Sequence, residues 1–181
     1  MEAKLRMELI SPKAAREWAK VAAAEKNKLR SPETELNELQ TYVNEFLSGH
    51  DFHPDTGLPL MAHVMQKAAY FMDPYSTNLA QPADLGGDDD VRFDRTSAIA
   101  TAYWAAVLTV GAPLHGDFGW RDGRPWMDLV GAIGRHLLAY RCGSYYDMDS
   151  HQPHVAHIMA NAAFLIEYHD TFPELDNRPS L

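Results

Sequence analysis

The chain has a single cysteine, Cys142, among 181 residues, so it cannot form an internal disulfide and fits a reducing compartment. No paired CxxC is available for a structural zinc. The phosphate loop GxxxxGK[ST] and the dinucleotide turn GxGxxG are both missing, and so is the nucleophile elbow of serine hydrolases. Basic residues are few. Lys and Arg number 16 against 25 Asp and Glu, a net charge of −9, which argues against binding a nucleic-acid polymer. No apolar run is read as reaching the ~18 residues of a membrane span, and the opening MEAKLRMELI lacks the apolar stretch of a secretion signal. The expectation is a cytoplasmic protein with no membrane partner. Strand-like alternation is absent as well. What remains is a 46% hydrophobic, 23% charged chain, ordinary for a globular protein with a real core.

Its most informative positive feature is internal repetition, which bears on architecture first. Residues 49–72 align with 143–166 at an offset of 94 without a gap. Gly49/Gly143, Asp55/Asp149, Pro59/Pro153, Ala62/Ala156, His63/His157, Met65/Met159, Ala68/Ala162 and Ala69/Ala163 are identical. Upstream, Ser11, Trp18 and Val21 align with Ser97, Trp104 and Val107 at an offset of 86. The predicted fold is all-α: a three-helix unit in tandem duplication, its copies packed about a pseudo-two-fold axis. The expected organisation is a first repeat at 1–83, a joint at 84–90 containing the acidic run Asp88–Asp90, a second repeat at 91–170, and a loose tail at 171–181.

Serine-proline pairs at Ser11-Pro12 and Ser31-Pro32 mark helix starts, because serine caps free N–H groups and proline suits the first turn. Helices are predicted at 12–29, 32–47, 58–72, 99–110, 126–141 and 153–169. The glycine- and proline-rich stretch 111–126 is predicted to be mostly loop.

The sharpest candidate site lies on the last helix. His154, His157 and Asn161 fall in a sector of about 60°, counting 100° per residue. Apolar Ile158, Phe164 and Leu165 flank them, so the polar groups should point inward and need partners. Asp147 and Asp149 just upstream could supply those partners, or with His154 hold a divalent metal. Arg135 and His136 on the preceding helix could face the same loop. The first repeat keeps His63 and offers Asp51 and Asp55. Its Lys67 is either a phosphate contact or a surface lysine. In the loop around 115–126, Asp117 and Trp120 are ligand-contact candidates, with Trp120 a base-stacking ring or a core plug.

These residues resemble a family found mostly in bacteriophages, the N-terminal domain of dATP/dGTP diphosphohydrolases. Gly116, Asp117 and Trp120 match its loop motif, and Arg135 and His136 its Arg-His helix. Gly143, Asp147 and Ser150 match its acidic loop, and His154, His157 and Asn161 its closing helix. Ser144 and Tyr145 depart from the family's Glu-Asp, and His151 replaces a loop glycine. The resemblance implies hydrolysis of a purine (deoxy)nucleoside triphosphate to monophosphate and pyrophosphate. Asp147, Asp149, His154, His157, Arg135 and His136 would be catalytic. Asp117, Trp120, Asn161, Lys67, Asp51, Asp55 and His63 would contact substrate. Mg²⁺ or Mn²⁺ would sit on Asp147, Asp149 and His154. The alternative is a non-catalytic protein that sequesters a nucleotide or a nucleotide-derived defence signal. In a third reading the polar set is fold-specifying glue. The alanine-rich helices are compatible with a homo-oligomer.

Overall fold

The computed structural model describes residues 5–25, 31–73 and 96–179. The joint at 84–90 lies outside them. Six α-helices are present: α1 (Pro12–Ala24), α2 (Pro32–Leu47), α3 (Leu60–Met72), α4 (Ala98–His115), α5 (Trp126–Arg141) and α6 (His154–Thr171). Among the described residues there is no strand, only isolated bridges between Phe52 and Pro59 and between Tyr146 and Pro153. The all-α class is correct.

Serine starts three helices, at Ser11 and Ser31 as the sequence predicts and at Ser97 as well. The hydroxyls of Ser11, Ser31 and Ser97 accept from the N–H groups of Ala14, Thr34 and Ala100 at 2.9, 3.2 and 3.0 Å. Two of these hydroxyls also donate. Ser11 bonds Glu167 at the end of α6, and Ser97 bonds Asp73 just past α3 at 2.8 Å. The start of each half is thus held by the last helix of the other.

α3 and α6 form the central pair, with α2 against α3 and α5 against α6. Ala62, Ala68 and Ala69 on α3, and Ala156, Ala160, Ala162 and Ala163 on α6, are buried and keep the two backbones close. α1 packs on α3 and α6, and α4 on α6 and α3, burying Trp18 and Trp104.

Two expectations need correction. α4 runs on to His115, through Gly111 and Pro113, and stops only where Gly116 takes φ 84°. Pro113 removes one N–H from the last turn without ending the helix, and the Gly116 N–H closes that turn on the Ala112 carbonyl. At 18 residues and mean hydropathy 1.2, α4 is long and apolar enough to cross a membrane by length and composition. Its Ala100, Trp104, Ala105, Leu108 and Ala112 side lies in the core, while Ile99 and Leu114 are exposed. The tail is also not loose. Arg178 donates to the Phe46 carbonyl at 2.8 Å and pairs with Asp51 at 2.9 Å, its guanidinium lying 4.2 Å from the Phe46 ring centre. Asn177 accepts from the Met127 N–H at 2.9 Å.

Candidate functional site

The loop between α5 and α6 is a tight, self-bonded turn. The Asp147 N–H donates to the Gln152 carbonyl, the His151 N–H to the Asp147 carbonyl, and the His154 N–H to the Tyr145 carbonyl, at 2.9, 2.9 and 3.0 Å. The loop before α3 repeats this set at an offset of 94: His53 to Leu58, Gly57 to His53, and Leu60 to Asp51. Left-handed backbone falls at matching places, φ 66° at Gly57 and 57° at His151. Pro59 and Pro153 then precede the two helices, and α6 opens with His154.

The turn sets up a chain of hydrogen bonds. Asp147 Oδ1 accepts from the N–H of Asp149 (3.2 Å), the N–H of Ser150 (2.9 Å) and Ser150 Oγ (2.9 Å). Ser150 Oγ also lies 2.7 Å from His157 Nε2. With the serine proton given to Asp147, His157 must donate from Nε2, which fixes its tautomer. His154 is partnered by His136, Nδ1 to Nδ1 at 2.8 Å, and by Ser144 Oγ at 3.3 Å from Nε2. The His136 ring stacks on His157 with centroids 4.4 Å apart and planes 9° apart. The polar groups of α6 do point inward, and the loop reaches His157 through Ser150 rather than by direct aspartate contact.

Electrostatics follow from this crowding. Burial, then the neighbouring His157 and His154, push His136 down to about 4. Burial also lowers His157 against the opposing pull of Asp147. Burial would raise Asp147, but the two Ser150 bonds and the nearby His157 and His136 hold it below its ordinary value. At neutral pH the two shifted histidines are neutral and the aspartate is charged.

Beside this network lies a cavity of about 330 Å³. Its apolar wall includes Val107, Leu108 and Phe164, and its polar end carries Asp147, Asp149, Ser150, His157 and Asn161. Asp117 and Trp120 line it from the turn after α4. Trp120 stacks on Phe164 (6.1 Å, 13°), and its carbonyl accepts from the Tyr168 hydroxyl at 2.7 Å. Asp117 is already held by Arg6 through bonds of 2.6 and 2.9 Å. Asn161 donates to the His157 carbonyl at 2.8 Å. Two lining residues escape the sequence reading, His115 and Arg124, whose side chains meet at 3.2 Å on the rim. Both stand in the highlighted 115–126 stretch, so the signal was an arginine next to proline in a glycine-rich loop.

Other predicted residues are not brought here. Arg135 is exposed, and its guanidinium lies back over Gly131. Lys67 is neither a surface lysine nor free for phosphate: it is 1% exposed, and its Nζ lies 2.9, 2.9 and 3.0 Å from Glu25, Glu35 and Glu38. Burial would push its ammonium down, but the three carboxylates outweigh this and raise it. His63 bonds Thr56 at 3.0 Å, as His157 bonds Ser150. Asp51 is engaged by Arg178, and Asp55 is exposed on its loop.

The metal question turns on donor chemistry. One donor atom each from His136, Asp147 and His154 lie within 4.8 Å of one another. Asp149 stands outside that group on the cavity wall. Two imidazoles and one carboxylate suit a nitrogen-seeking cation better than Mg²⁺, which prefers oxygen and water.

Residues 80–178 match the family described as dATP/dGTP diphosphohydrolase, N-terminal, more than half of the chain. The chain belongs to that family. Every residue of the His/Asp/Ser network, and every residue named above as lining the cavity, falls within the matched diphosphohydrolase segment. α1 to α3 lie outside it. No curated protein and no solved structure matches the chain.

Proposed function

We propose that the chain hydrolyses a purine deoxynucleoside triphosphate to its monophosphate and pyrophosphate in the cavity between α4, α6 and the α5–α6 loop. One observation carries this reading. A nucleotide-sized cavity, apolar along one wall and polar at one end, is built by the segment that matches the diphosphohydrolase family. The phosphates would lie at the polar end beside Asp147, Asp149 and His157, and the base on the Phe164 and Trp120 side, toward the rim of Arg124 and His115. Neutral His157, which donates from Nε2 to Ser150, keeps Nδ1 to take a proton from an attacking water, with Asp147 orienting the ring through Ser150. A divalent cation would offset the repulsion between the aspartates and the phosphates.

Tandem duplication is part of the same reading. It is supported by the shared loop hydrogen bonds and by the reciprocal Ser11–Glu167 and Ser97–Asp73 contacts. The first repeat (1–83) carries Leu60 and Lys67 where the second (91–170) has His154 and Asn161. One working site, in the second, is therefore the design we favour.

The exposed position of Arg135 favours a second reading, a nucleotide-binding protein that does not hydrolyse its ligand. Nucleotides presented with divalent cations, followed by thermal shift and by product release, separate the two. Turnover lost in Asp147→Asn and His157→Gln supports hydrolysis. Stabilisation by a nucleotide recovered intact supports binding alone, worth ~2.7 kcal/mol at 100 times Kd. No shift and no product with any nucleotide would sink both.

A further inference from the structure

His136 and His154 face each other through Nδ1 at 2.8 Å, a contact that requires something positive between the two lone pairs. A single shared proton meets that need, and so does a metal ion. Asp147 lies at the same place, with Oδ1 occupied by three donors and Oδ2 given no hydrogen bond by any described residue. Its loop thus anchors one oxygen and leaves the other available. With the Ser144 hydroxyl proton given to the Tyr146 carbonyl, Ser144 Oγ is left to accept from His154 Nε2, which turns the Nδ1 lone pair toward His136. The stack on His157 fixes the His136 ring in plane.

We propose that His136 Nδ1, His154 Nδ1 and Asp147 Oδ2 bind one divalent first-row transition-metal ion of the zinc and cobalt class. This rests on the nucleotide reading only in sharing its site. Ligand atoms around a tetrahedral ion at ~2.0–2.1 Å stand ~3.3 Å apart. The two nitrogens therefore need to open by about half an ångström. His154 is 7% exposed and gives a desolvated inner wall, while Asp147 and His136 are half-buried and leave a way in. Three protein ligands leave a fourth position for water or a phosphate oxygen, as catalytic sites of this class require. Two imidazoles also set the order of affinity, with zinc and cobalt well above magnesium.

The test is a Co²⁺ titration of the chelator-treated full chain, read by visible absorption. The expected result is one ion per chain, with bands of nitrogen-ligated cobalt, displaced by Zn²⁺ and not by excess Mg²⁺. His136→Gln and Asp147→Asn, checked for fold by circular dichroism, should each weaken Co²⁺ more than about ten-fold. Asp149→Asn should leave Co²⁺ affinity unchanged. Displacement by Mg²⁺ at equal concentration, or unchanged affinity in both ligand variants, overturns the proposal. Co²⁺ bound as described by a chain that ignores every nucleotide leaves this site standing and removes the nucleotide reading. Nucleotide turnover in a chain that binds no Co²⁺ does the reverse.

Discussion

Lys67 is the residue whose environment departs furthest from its sequence context. Helical position alone cannot say that three glutamates from two other segments converge on it, because Glu25, Glu35 and Glu38 are distant in sequence. Buried ion groups of this kind stabilise little against an apolar replacement of the whole set, but removing one partner leaves bare charge behind. Lys67→Met should therefore cost about 3–5 kcal/mol, read from urea unfolding. Adding Glu35→Gln to it should recover part of the loss, and a double variant less stable than Lys67→Met would refute the account. His136 makes a second residue-scale prediction. Folding lowers it from an ordinary 6.5 to about 4, so over that interval the unfolded chain holds a proton that the folded chain refuses. The contribution of His136 to stability should be full above about pH 6.5 and fall away as the pH drops toward 4. His136→Gln should flatten that fall in unfolding midpoints measured across pH. Asp147, His154, His157 and Arg135 all act on this ring. The α6 pattern foretold the inward face of His154 and His157. It said nothing of the imidazole pair with His136, which depends on how α5 crosses α6.

At the scale of elements, the helix starts at Ser11 and Ser31 were legible because capping is local, and Ser97 caps in the same way. Ser11, Ser31 and Ser97 each bond the N–H three residues on. Ser97→Ala should cost more than a simple cap, roughly 1–2 kcal/mol, since the hydroxyl also donates to Asp73. Thermal unfolding beside Ser31→Ala, whose hydroxyl among the described residues meets only its own helix at Thr34, gives the comparison. The end of α4 was misread because glycine and proline were weighed as breakers, whereas position within the last turn decides their effect. The paired loops allow a sharper test. Gly57 and His151 share a left-handed backbone, and a Cβ at Gly57 would meet nothing within 4 Å. Conformation alone then sets the cost: Gly57→Ala should lose about 1 kcal/mol and His151→Gly should be neutral or gain. Equal losses at both positions would contradict the shared turn.

At the scale of the whole molecule, the all-α class followed from missing strand patterns and from the repeat. The cavity did not, because it is made where α4, the turn after it and α6 come together. The tail shows the same limit: FPELDNRPSL reads as a loose end, yet its Arg178 closes on Phe46, Asp51 and Trp126 from a distant part of the chain. The crossed serine bonds have a further consequence. Ser11 belongs to Glu167 and Ser97 to Asp73, so each half is completed by the other and covalent continuity between them is a matter of effective concentration. A chain cut within residues 84–90 should therefore assemble from two separate polypeptides into a one-to-one complex. That complex should dissociate on dilution with concentration-dependent melting, whereas the uncut protein melts independently of its concentration.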